Sequence, residues 1–161
     1  MLSVIVNSTP LIALCNAGLL NVLKAVYGQI TIPQAVFDEV TAKPDSACLQ
    51  IKDNRDWIHV EKIMDVADRK MYKAKLHAGE VDVMILAQND PKADLVIIDD
   101  NAAKKTAKYL GLKVTGTIGV LLKAKRMGVI ISVKDAVDQI RNNGFYISER
   151  VIKMAIEQAG E

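Results

Sequence analysis

Aromatic residues make up only 4% of this 161-residue chain, with two phenylalanines, one tryptophan and four tyrosines. That scarcity argues against the base-stacking platforms of single-strand nucleic-acid binders. Cysteine is rarer still. Cys15 and Cys48 have no metal-ligand spacing and are expected to be free thiols in a reducing cytoplasm. His59 and His77 have no partner at ligand spacing and read as surface or packing residues. No apolar run approaches the ~18 residues of a membrane span. The first residues lack the basic start and cleavage site of a signal peptide, so a cytoplasmic protein is expected. Acidic residues are absent from Asn101 to Lys134, which holds eight basic ones: Lys104, Lys105, Lys108, Lys113, Lys123, Lys125, Arg126 and Lys134. The whole chain carries +2, so the rest carries −6. Solvated helix faces explain such a segment. So does a phosphate-binding surface beside an acidic region.

What is present is apolar and regularly punctuated. Half the residues are hydrophobic and a quarter charged, over a length that suits one domain, residues 1–161. Val4-Ile5-Val6 reads as a short buried strand, ended by Asn7, Ser8 and Thr9. Pro10 then marks a helix start, with apolar spacing from Leu11 to Val26 that Gly18 breaks in two. A second strand follows at Gln29–Ile32, and Pro33 opens a helix through Val40. Strand–helix–strand at this spacing predicts a parallel sheet with a right-handed crossover. Thr41 to Arg55 reads as a loop and a short helix, Trp57–Val60 as a third strand and Asp65–Leu76 as a charged helix. Gly79-Glu80 introduces an apolar helix through Ala87. Leu95–Ile98 is the clearest strand, followed by Asp99-Asp100 and a basic helix to Leu110. Lys113–Thr115 is a fifth strand and Thr117–Met127 a helix. Ser132 with Asp135 forms a capping-box pattern, and Ser148 caps the last helix.

In an open α/β sheet, ligands sit at the carboxyl ends of the strands. Asn7 and Asp99-Asp100 follow two such strands, and Glu39 and Glu80 lie beside apolar helix positions. Clustered carboxylates repel one another unless cations neutralise them. Hard oxygen donors around Mg²⁺ or Mn²⁺ suit phosphate chemistry, and two ions ~4 Å apart can clamp a phosphodiester. Structural alternatives stand beside each role. Asp99 or Asp100 can cap the following helix, Glu80 can complement a helix dipole, Glu39 can be an edge acid, and Asn7 can be a turn residue. Asp38 and Asp82 read as solvated. Gly116-Thr117-Ile118-Gly119 reads as a turn, or as helix-start amides facing phosphate.

Taken in order, Val4 to Ile12, Ile32-Pro33 through Val40, Gly79 through Ala87, and Ile97 through Asp100 resemble a PIN domain. The likeness continues through Gly111, the run from Val114 to Leu122, Ala124-Lys125-Arg126 and Gly128. That C-terminal part resembles a subfamily of bacteria and archaea related to VapC-type toxins. The resemblance implies a three-layer α/β/α fold with a five-stranded parallel sheet in the order 3-2-1-4-5. It implies a Mg²⁺- or Mn²⁺-dependent endoribonuclease, with Asn7, Glu39, Glu80 and Asp100 as catalytic positions and Glu39, Glu80, Asp99 and Asp100 as metal ligands. Asn7 stands where the family carries Asp, which removes a charge and a base. Ser8 or Thr9 takes the place of the family's hydroxyl. RNA is expected along Lys104, Lys105, Lys108, Lys123, Lys125 and Arg126, an antitoxin is an expected protein partner, and a homodimer is the expected assembly. The alternative is a catalytically impaired PIN-like scaffold that binds RNA or a protein.

Overall fold

The computed structural model describes residues 3–63 and 78–161. The charged helix expected over Asp65–Leu76 lies outside the described residues.

Five parallel strands form one sheet: β1 (Ser3–Val6), β2 (Ile30–Pro33), β3 (Ile58–Glu61), β4 (Ala93–Ile97) and β5 (Val114–Thr115). Their order is β3-β2-β1-β4-β5, as expected. Val4, Ile5 and Val6 are buried, which is what an unbroken β-branched run needs at the centre of a sheet covered on both faces. β1 pairs with β4 from Val4↔Leu95 to Val6↔Ile97 and with β2 at Ile5↔Thr31. The chain runs outward from β1 in one direction through β2 and β3, then returns to β4 and leaves in the other. The carboxyl ends of β1 and β4 therefore flank the point where the order reverses.

Nine helices among the described residues cover the sheet: α1 (Ser8–Asn16), α2 (Leu20–Tyr27), α3 (Gln34–Val40), α4 (Ser46–Asp53), α5 (Ala78–Asn89), α6 (Asn101–Tyr109), α7 (Thr117–Arg126), α8 (Val133–Asn142) and α9 (Glu149–Gln158). The α/β/α fold is as the sequence predicts. Gly18, at φ 71°, breaks the first helical stretch, and α1 and α2 meet at 115°. No single helix among the described residues is long and apolar enough to cross a membrane.

Two expectations need correction. The first helix starts at Ser8, ahead of Pro10, because Asn7 already has the extended backbone of an N-cap (φ −81°, ψ 167°). Proline is still tolerated there, since first-turn N–H groups have no partner within the helix. Asp82 is not solvated but 2% exposed. Every residue from Gly79 to Ala87 is buried, so the helix has no solvent face at that point. α5 lies across β1, β2 and β4 and against α3.

Both cysteines are buried and free. Burial, helped by the charge of Asp45, pushes the Cys15 thiol up to about 12, so it stays protonated at neutral pH.

Candidate functional site

The switch point collects three parts of the chain. The Asn7 N–H donates to the Ile97 carbonyl at 2.9 Å, tying the end of β1 to the end of β4. Asparagine is among the best capping residues, yet the Asn7 side chain makes no cap bond to α1. It turns away from its own helix instead. Its Oδ1 lies 3.7 Å from the point a Cβ on Gly79 would occupy, and Glu39 Oε2 lies 3.4 Å from the same point. The Ser8 hydroxyl donates to Glu39 Oε2 at 2.7 Å. Glycine at 79 lets the first turn of α5 approach both groups, and Glu80, the next residue, is 5% exposed. Asn7, Ser8, Glu39 and Gly79 thus come from three separate elements to one place.

Asp99 and Asp100 have divided their work. Asp100 is the N-cap of α6, with Oδ1 accepting from the Ala102 N–H at 2.8 Å and the Ala103 N–H at 3.4 Å. Asp99 points across the crevice to α7. Its Oδ1 accepts from the Thr117 N–H at 2.8 Å and its Oδ2 from the Thr117 hydroxyl at 2.7 Å. The N-cap of α7 is Gly116, which has no side chain to offer, so Asp99 supplies the carboxylate that the positive helix end favours. The amide that the sequence offered to a phosphate at Thr117 is thus given to Asp99. Nothing in the sequence near residue 117 identifies Asp99 as its partner.

The six basic residues expected to hold RNA lie on two helices, α6 and α7. Lys104 lies beside Asp99, its Nζ 2.9 Å from where a Gly116 Cβ would sit. Lys105 and Lys108 are exposed on α6. Lys123, Lys125 and Arg126 lie in the last turn of α7, at the end away from Asp99. The Lys123 ammonium lies 4.9 Å from the Tyr27 ring centroid. Lys125 donates to the Ala159 carbonyl at 2.7 Å and to Glu161 Oε2 at 2.8 Å.

Asn7, Ser8 and Glu39 meet at the reversal of a 3-2-1-4-5 parallel sheet, in a three-layer α/β/α domain. The chain belongs to the PIN domain family: the family model DUF3368, described as a PIN domain, matches residues 3–161. No curated protein and no solved structure matches the chain.

PIN domains generally use divalent metal ions. The donors here fit a hard cation in kind, being carboxylate and amide oxygens. They do not fit in number. Among the described residues no three of His, Cys, Asp and Glu form a group that could hold one ion. The expected ligand set of Glu39, Glu80, Asp99 and Asp100 is therefore not one cluster. Asp100 caps α6 through Oδ1, Asp99 gives both oxygens to Thr117, and Asn7 brings no charge to the centre.

Proposed function

We propose that this PIN domain acts on RNA as an endoribonuclease, with an activity weakened by its depleted acid site. The convergence of Asn7, the Ser8–Glu39 pair and the start of α5 at the switch point carries this reading. Ser8 holds one oxygen of Glu39 and so fixes the carboxylate toward Asn7 and Gly79. The Asn7 amide can donate to a phosphate oxygen where an aspartate would repel it. Lys104 adds a positive charge beside Asp99. Mg²⁺ or Mn²⁺ belongs to this reading as the family's cofactor. The toxin role, an antitoxin partner, a homodimer and a cytoplasmic setting are parts of the same proposal.

The test is cleavage of structured and unstructured RNA with Mn²⁺, comparing the wild type with Glu80→Gln. The expected result is slow cleavage by the wild type and none by the variant. Equal rates in the two proteins dismiss this crevice as the catalytic site. A second reading, a PIN scaffold that binds RNA or a protein without cutting, is favoured by the neutral Asn7 and by the helix-capping work of Asp99 and Asp100. Calorimetry with Mn²⁺ separates the two, since the scaffold binds no ion and the nuclease does.

A further inference from the structure

Beside the crevice, on the far side of Asp99, lies a pocket of about 420 Å³. It is bounded by the starts of α6 and α7 and by the loop that joins α8 to α9. Its volume is in the range of small-molecule sites. We propose that this pocket binds one nucleotide, with the phosphate toward Lys104 and the base against Tyr146.

The polar end supports the phosphate. Lys104 is half-buried and forms no ion pair among the described residues, although Asp99 is close by. Both Asp99 oxygens are taken by Thr117, and that carboxylate is balanced by the helix end it caps. A half-buried ammonium in no direct ion pair among the described residues favours an incoming anion. The neighbouring hollow on the other side of the same loop, about 370 Å³, offers Arg141 instead. Arg141 is already paired with Glu149 at 2.9 Å, so no free cation recommends that side.

The apolar end supports the base. In a chain so poor in aromatics, Phe145 and Tyr146 stand together at the pocket wall. Tyr146 is 85% exposed, and its ring is spent on no core contact. One exposed tyrosine is not the stacking platform of a single-strand binder. It is a single wall, sized for a single base, and stacking of this kind tolerates any base.

The proposal rests on the RNA-directed half of the function above, but it requires no hydrolysis. The probes are adenosine 5′-monophosphate and a 2′-O-methyl pentanucleotide that cannot be cut through its 2′ position, titrated while the amide resonances of Gly116, Thr117 and Gly119 are followed. Shifts with the mononucleotide mean that the pocket accepts a free nucleotide. Shifts with the oligomer alone mean that it takes one unit of a strand, and either result supports the pocket. No shift with either probe overturns it, whatever the cleavage assay gives. Tyr146→Ala is expected to weaken binding about tenfold, within the range of one stacked base, while Tyr146→Phe keeps it. Equal affinities for all three proteins refute the stacking wall. Tyr109→Ala, exposed and outside the pocket, is the control and should bind as the wild type does. Lys104→Gln is expected to erase the preference for the monophosphate over adenosine, and a preference left intact removes Lys104 from the site.

Discussion

Asn7 sits where a charge is expected and a neutral amide is found. Asn7→Asp adds a carboxylate near Glu39, so their mutual repulsion rises and a divalent ion relieves it. The expected outcome is tighter Mn²⁺ binding by calorimetry, and unchanged binding would place Asn7 outside the ion's ligands. Gly116 tests the other side of the crevice. A Cβ there would stand 2.7 Å from Asp99 Oδ1 and 2.9 Å from Lys104 Nζ. Lysine can swing away, but Asp99 is held by two hydrogen bonds to Thr117 and cannot move without breaking them. Gly116→Ala is therefore expected to lower stability by about 1–3 kcal/mol, the usual cost of overpacking, measured by urea unfolding.

At the scale of the element, the start of α8 shows a helix capped from a distance. Ser132 accepts from the Asp135 N–H at 3.1 Å, which is half of the capping box that the sequence predicts. A second acid comes from elsewhere in the chain. Glu161 accepts from the Val133 N–H at 2.7 Å, the Lys134 N–H at 3.2 Å and the Ser132 hydroxyl at 2.8 Å. With Lys125 and these donors around it, its carboxyl is lowered to about 2 from an ordinary 4.5. A carboxyl depressed in the folded state stabilises the protein above its unfolded value. That contribution is lost as pH falls from about 4.5 through about 2. Glu161→Gln is expected to flatten this acid limb of the stability profile, measured by urea unfolding between pH 2 and 6. An unchanged limb would show that Glu161 does not clasp α8 in solution.

For the whole molecule, the charge imbalance bears on the RNA binding proposed above. Each lysine that neutralises a phosphate of single-stranded RNA steepens the salt dependence of binding by roughly 0.7 in log–log slope. Lys104→Ala is expected to reduce that slope by about this amount. Lys125→Ala should leave the slope alone and lower stability instead, because its ammonium holds Ala159 and Glu161. Fluorescence anisotropy across a salt series checks both, and equal slope changes in the two variants would show that α7 also carries RNA.

The sequence by itself determined the elements and their order. Buried parallel strands announce themselves as unbroken runs such as Val4-Ile5-Val6, and glycines such as Gly18 end helices through local backbone geometry that needs no distant partner. The same local chemistry placed caps at Ser132 and Ser148. Only the tertiary structure decided what each acid does. Asp99 and Asp100 are adjacent and identical in type, and spacing cannot tell that one serves α6 and the other reaches across to Thr117. Nor can it show that Asp82 is enclosed, that Glu161 closes on α8, or that Phe145 and Tyr146 come to lie beside Lys104. Hydrogen bonds and charges act over a few ångströms between chain segments tens of residues apart, so their pairing exists only once the sheet has brought those segments together.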